Sequence, residues 1–134
     1  MNVLIWSLII LVIVYLFVVW FGRYLGRSRW SASDKAFFWK NWDRIRGEED
    51  LRMKVLEADK LLDLMMKKKG MQGSMGEKLK KYGKNFGDLD GLWRAHKLRN
   101  RLAHEVDIKV SAVQVGDAIR AFGKAFRDMG LMEK

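Results

Sequence analysis

The chain has 134 residues, of which 26 are lysine or arginine and 16 are aspartate or glutamate, giving a formal net charge of +10. It contains no cysteine, which excludes a disulfide framework and a thiolate site. The length fits one compact domain with one appended element. The absence of proline, with helix-forming residues between 12 glycines, favours an all-helical protein.

The charges are unevenly distributed, because the first charged residue in the chain is Arg23. The whole net charge of +10 therefore belongs to residues 23–134. A basic balance of this size favours anionic partners, namely RNA, DNA or the anionic face of a membrane. A basic protein whose charge only prevents self-association would have the same balance.

The first predicted element is an uncharged, apolar run from Val3 to Phe21. As a helix it would be about 28 Å long, close to the thickness of a bilayer's hydrocarbon core. A cleaved signal peptide fits less well, since Met1 and Asn2 supply no basic side chain and no A-x-A-like site follows. The run therefore predicts a retained single-pass membrane anchor within residues 1–25.

The basic residues that flank this run predict its orientation. They are Arg23, Arg27 and Arg29, and none precedes the run. By the positive-inside tendency, the carboxyl side should face the cytoplasm. In a prokaryotic cell this places the protein in the plasma membrane, with its basic domain inside.

Residues 26–47 are predicted to form a juxtamembrane linker and an aromatic helix. Ser33 is the expected N-cap, and Phe38, Trp42 and Ile45 recur at helical spacing. This spacing favours packing on the domain. Alternatively, the helix lies in the membrane interface, helped by its basic residues Lys35, Lys40, Arg44 and Arg46.

Residues 48–134 are predicted to form one helical domain. A long helix is expected over 48–69, a short one over 75–82, a third from Asp88 or Asp90 to about residue 105, and a last one from Ser111 to about residue 129. Capping boxes are predicted at Ser74 with Glu77 and at Ser111 with Gln114. With the aromatic helix, this gives an antiparallel bundle of four main helices and one short helix behind the transmembrane helix.

A lysine-rich segment spans residues 67–84, with seven lysines and one glutamate. Such a run is either a solvated face or a patch that attracts phosphates. The candidate RNA-binding residues are Lys67, Lys68, Lys69, Lys78, Lys80 and Lys81.

The central helix carries both histidines of the chain. His96, Asn100 and His104 follow one another at i, i+4 and i+8, so they lie on one line along the helix. His96 alone is interpreted as a partly exposed polar residue. Arg99 is about 140° around an ideal helix from His104, so the two side chains meet only if the helix loosens or a second copy supplies one of them.

The six residues from Arg99 to His104, RNRLAH, resemble the R-x(4–6)-H motif of HEPN domains, in which the arginine is often followed by a polar residue. The resemblance extends roughly over residues 47–134. It implies a small helical bundle, frequently a metal-independent endoribonuclease, in which two protomers form a composite site.

The resemblance assigns roles to three candidate catalytic residues. Arg99 would hold the scissile phosphate, His104 would be general acid or base, and Asn100 would orient the histidine or the phosphate. This chemistry is reasonable, because imidazole titrates near neutral pH and a guanidinium pairs with phosphate oxygens. No metal and no cofactor is expected.

A non-catalytic interpretation stays open beside this one. Many HEPN-like domains act in dimerisation or binding, and Arg99 would then pair with a carboxylate such as Asp59 or Asp63. Asn100 and His104 would make hydrogen bonds across a dimer or cap the following connector. Both interpretations predict a membrane-tethered protein that is expected to form a homodimer. The first predicts cleavage of RNA, and the second predicts binding of a nucleotide, RNA or a protein without chemistry.

Overall fold

The computed structural model describes residues 2–28 and 30–132, with side chains described for residues 3–21 and 30–132. Within these ranges the chain is all-helical and has no strand, which confirms the predicted class. A short 3₁₀ turn, Gly83–Asn85, follows the fourth helix. The α-helices are α1 (Asn2–Ser28), α2 (Ala32–Arg46), α3 (Leu51–Lys68), α4 (Met75–Tyr82), α5 (Leu89–His104) and α6 (Ala112–Asp128).

Helix α1 contains the apolar run. Its segment Val3–Phe21 has a mean hydropathy of 3.0, and none of it is buried against the rest of the chain. By length and composition this helix could cross a membrane, and a signal sequence would have the same properties. Its exposed apolar side chains show that no core of this chain covers them.

Helix α2 begins two residues earlier than predicted, because its N-cap is Ser31 and not Ser33. The Ser31 hydroxyl accepts a hydrogen bond from the backbone N–H of Asp34 at 3.0 Å, while Ser33 already lies within the helix. The buried face of α2 consists of Phe38, Trp42 and Ile45, which confirms the predicted packing on the domain.

The aromatic contacts of α2 join it to the carboxyl end of α6. The ring of Trp42 lies 5.1 Å from that of Phe126, edge to face, and Phe38 lies 6.4 Å from the same ring. Burial of aromatic side chains contributes roughly 1.5–3 kcal/mol each. The segment 26–47, expected as a linker and a helix, thus contributes side chains to the same core as the following helices.

Helix α3 lies at the centre of the bundle and contacts α2, α5 and α6. It begins after Asp50, whose carboxylate accepts hydrogen bonds from the backbone N–H groups of Arg52 and Met53, so it starts three residues later than predicted. Most residues of its buried face are apolar, and the exception is Asp59. Asp59 contacts polar side chains of α5.

Three predicted helix starts are confirmed downstream of α3. Both capping boxes are present, at Ser74 with Glu77 and at Ser111 with Gln114. Of the two candidate caps for α5, Asp88 fills the position and accepts from the N–H of Gly91 at 2.9 Å. Helices α5 and α6 pack on each other and on α3, so α5 is held by both α3 and α6.

The end of α3 yields a stability prediction. Gly70 has φ = +80°, a left-handed conformation, and the Cβ of an alanine there would have no neighbour within 4 Å. Gly70→Ala should therefore cost about 1–2 kcal/mol from the backbone alone. The control is Gly47→Ala, because Gly47 ends α2 at φ = −81° and should tolerate a side chain. Urea unfolding of the full chain in detergent measures both, and equal midpoints would contradict the prediction.

Candidate functional site

Four polar side chains meet between α3 and α5. Asp59 comes from the buried face of α3, and His96, Arg99 and Asn100 come from α5. His96 and Asn100 are four residues apart, so one lies above the other on the same helical line, and Arg99 flanks Asn100. These four residues are called the polar ring below.

The contacts among the four residues of the polar ring form a closed cycle. Nδ1 of His96 lies 3.0 Å from Oδ1 of Asp59, and Nε2 of His96 lies 3.3 Å from Nδ2 of Asn100. Nη1 of Arg99 donates to Oδ1 of Asn100 at 3.1 Å, and its Nε lies 3.3 Å from Oδ2 of Asp59. The guanidinium therefore contacts both ends of the chain of hydrogen bonds.

The network fits one protonation state of His96. With the proton on Nδ1, the ring donates to Asp59 and accepts at Nε2 from the Asn100 amide, so each nitrogen has a partner. Nε of Arg99 is near enough to Asp59 for an ion pair but is not aligned for a hydrogen bond. Asp59 is only 5 % exposed, so its charge needs these two partners.

The polar ring forms one wall of an open cleft of about 880 Å³. The residues at the amino end of α4, from Gly73 to Gly76, also line it. Charged side chains of both signs line the cleft: Arg52 and Lys60 are basic, and Glu57 is acidic. The Arg99 side chain is 36 % exposed, although its Nε is buried and has no hydrogen-bond partner.

His104 lies apart from the polar ring. It is the last residue of α5, it is exposed, and it does not line the cleft. Among the described residues it makes no hydrogen bond and no ion pair. Because α5 stays helical up to His104, the loosening that would bring it to Arg99 within one chain is not present. Asn100 contacts His96 and not His104.

The pairing of Arg99 with Asp59 was foreseen only as the non-catalytic alternative, and the part played by His96 was missed. A signal for it exists in the sequence. Asp59 falls among Val55, Ala58 and Leu62 on the apolar face of α3, and a carboxylate in that position requires a partner. On the exposed side of α5, Arg101 and Glu105 form an ion pair at 3.6 Å.

The lysine-rich segment does not form one patch. The side chain of Lys78 is fully buried, with its Nζ 2.5 Å from Oδ1 of Asp63, so it holds α4 on α3 and is withdrawn from the predicted RNA-binding set. Lys80 and Lys81 are exposed on α4. For these two lysines, RNA binding stays a prediction.

The remaining three lysines of that set, Lys67–Lys69, lie at the carboxyl end of α3. Lys67 pairs with Asp63 at 2.7 Å and Lys68 with Asp34 at 2.5 Å. Burial raises the pKa of Asp63, but hydrogen bonds from Lys67 and Lys78 and their charges outweigh it, so the pKa lies below its usual value. The pKa of Asp34 is also lowered, first by its hydrogen bond from Lys68.

Comparison with known proteins adds nothing to this description of the chain. No protein-family model, curated protein or solved structure matches it. Within residues 2–28 and 30–132, no group of three or more histidine and carboxylate side chains is arranged to hold a metal ion. The function of the chain can therefore be inferred only from the α5 motif and from the residues around it.

Proposed function

We propose that this chain is a single-pass membrane protein whose antiparallel helical bundle, a HEPN-like domain, faces the cytoplasm of a prokaryotic cell and acts on RNA. The proposed activity is metal-independent endoribonucleolytic cleavage by a homodimer. Each site takes Arg99 and Asn100 from one copy and His104 from the other. The exposed lysines of α4, which packs on α5, would contact the RNA backbone.

One observation supports the composite site. Arg99 and Asn100 are held in place from within their own chain by Asp59 and His96, whereas His104 is exposed and has no partner among the described residues. A guanidinium on a partly exposed, fixed side chain can pair with phosphate oxygens, and an exposed imidazole can transfer a proton to or from a ribose. His96 and Asp59 then act as positioning residues for Arg99.

Cleavage of structured and unstructured RNAs by the full chain in nanodiscs, with EDTA present, tests this function. His104→Ala should reduce the rate by roughly 10²- to 10⁴-fold, the usual contribution of a general acid or base. The control is Arg101→Ala, since Arg101 is exposed on the same helix and pairs only with Glu105. Equal rates for wild type and His104→Ala would refute the catalytic role.

A second candidate is a non-catalytic interaction module. It is favoured by the closure of the polar ring, in which both nitrogens of His96 and both polar atoms of the Asn100 amide are occupied by neighbours. A satisfied buried network stabilises and specifies a fold without any chemistry. In this case RNA or a protein partner should bind equally well to wild type and His104→Ala, with no cleavage.

A further inference from the structure

The carboxyl end of α3 lies beside the segment through which the chain enters the bundle. Lys69 places its Nζ 4.2 Å from the ring centre of Trp30, and Lys68 pairs with Asp34 in the first turn of α2. Trp30 is fixed in turn, since its indole N–H donates to the backbone carbonyl of Met129 at 2.8 Å. Lys68 and Lys69 are thus held beside Trp30 and the first turn of α2, and Lys67 precedes them on α3.

Chain length limits how far this point can be from the apolar run. From Phe21 to the end of α1 at Ser28 the helix rises about 10 Å. The two further residues to Trp30 can add at most roughly 7 Å. A headgroup layer is about 5–8 Å thick and the Debye length in the cell is about 8 Å. At full extension Trp30 would therefore lie about 9–12 Å beyond the headgroup layer, which is one to one and a half Debye lengths, and any bend between Ser28 and Trp30 brings it closer.

The charge at this end suits an anionic surface. We call Lys35 and Lys67–Lys69 the basic end; all but the half-buried Lys69 are exposed. Asp34 and Asp63 offset part of the charge, while Arg23, Arg27 and Arg29 precede it in the sequence. The sequence therefore has further basic residues directly before the bundle.

We propose that the basic end docks on the anionic lipid headgroups of the membrane that holds α1, and so orients the bundle on the bilayer. The inference rests on the proposed anchor, because the tether is what keeps the headgroups at high effective concentration beside these lysines. It assigns Lys67–Lys69 to lipid and leaves Lys80 and Lys81 for RNA. Each lysine near an anionic surface should favour the docked arrangement by roughly fivefold.

The absence of cysteine makes the test direct, since one introduced thiol reports one position. Gln72→Cys places an environment-sensitive fluorophore in the exposed loop after the basic end, and Glu49→Cys places it before the opposite end of α3. The full chain is reconstituted in phosphatidylcholine nanodiscs with and without phosphatidylglycerol. The probe at position 72 should shift to the blue only with the anionic lipid, and the probe at position 49 should not respond.

Two matched triple variants then locate the interaction. Replacing Lys67, Lys68 and Lys69 by glutamine should abolish the lipid-dependent shift, because the docked population falls on the order of a hundredfold. Replacing Lys80, Lys81 and Lys84 by glutamine removes the same charge from exposed positions of α4 and the following turn, and should leave the shift intact. The comparison of wild type in the two lipids needs no variant, so a misfolded triple variant does not remove the test.

The outcomes separate docking from the proposed anchor and from RNA. Retention of the full chain in the bilayer after alkaline washing, with no response at position 72 to anionic lipid, overturns the docking and leaves the anchor standing. Loss of the chain on washing overturns both. If the lysine 67–69 variant loses salt-sensitive RNA binding but keeps the lipid shift, the basic end belongs to RNA and the inference is wrong.

Discussion

Mixing two inactive variants, Arg99→Ala and His104→Ala, should restore RNA cleavage. In their heterodimer one composite site carries both substitutions, while the other has Arg99 of one copy and His104 of its partner intact. Random exchange of subunits makes half of the dimers mixed, with one good site in two, so about a quarter of the wild-type activity per chain should return. Within a single chain the two residues lie on different sides of α5, so only a shared site can be rescued in this way.

The complementation experiment has a strict control. Mixing Arg99→Ala with the double variant Arg99→Ala/His104→Ala gives the same dimers but no intact site, and should show no cleavage. The exchange is carried out in detergent with differently tagged full chains, and the mixed dimer is isolated by its two tags before reconstitution, so that it should show about half of the wild-type activity per chain. If that mixed dimer forms and stays inactive while wild type cleaves, the site is not shared between copies.

We expect His96 to position the site and not to transfer protons, because it holds Asn100 and Asp59 in place for Arg99. The observation that separates positioning from catalysis is the behaviour of His96→Gln, whose amide can still accept or donate within the ring. Binding of RNA should weaken with this variant while the pH profile of cleavage keeps the form set by His104. A changed pH profile would instead place His96 among the groups that transfer protons.

Local signals in the sequence predicted local structure well. The capping boxes at Ser74 and Ser111 were predictable because donor, acceptor and helix start all fall within four residues. The choice between Ser31 and Ser33 was harder, since both precede Asp34 and only the geometry decides which hydroxyl reaches its N–H. The apolar run of α1 was evident from composition alone.

The candidate site was predicted less well, because it depends on which faces of two helices meet. Arg99 and Asn100 were found through the motif, but their partners Asp59 and His96 are 37 residues apart and become neighbours only when α3 packs on α5. The prediction for Lys78 was wrong for a different reason. It was grouped with its lysine neighbours, although Met75, Leu79 and Tyr82 at helical spacing place it on the inner face of α4.

Asp63→Ala should destabilise the bundle by about 3–5 kcal/mol, because it leaves the buried ammonium of Lys78 without a partner. The side chain of Lys78 is fully buried and its Nζ has Asp63 as its one ion-pair partner in the described chain. Lys67 also loses a contact, but it is mostly exposed, so its share is small. Urea unfolding of the full chain in detergent, followed by near-ultraviolet circular dichroism, measures the loss.

The matched variant is Lys78→Met, which removes the buried charge and keeps a chain of similar length. It should cost no more than about 1 kcal/mol, because Asp63 is 25 % exposed and keeps its pair with Lys67, so that no buried charge is left unpaired. The double variant should recover most of the stability that Asp63→Ala loses. If Asp63→Ala is nearly neutral, or if the two losses simply add, the pair does not hold α4 on α3.

The pH dependence of the Asp63→Ala effect follows from the direction in which the pKa of Asp63 is shifted. Since the pKa of Asp63 in the folded protein lies below its ordinary 3.8, folding favours the ionised carboxylate. Its contribution is complete above the unfolded pKa and is lost as the pH falls through the lower, folded pKa. The difference in unfolding free energy between wild type and Asp63→Ala should therefore be constant near neutrality and shrink below pH 3.8. A difference that grows on acidification would mean that the carboxylate is held by contacts other than its two lysines.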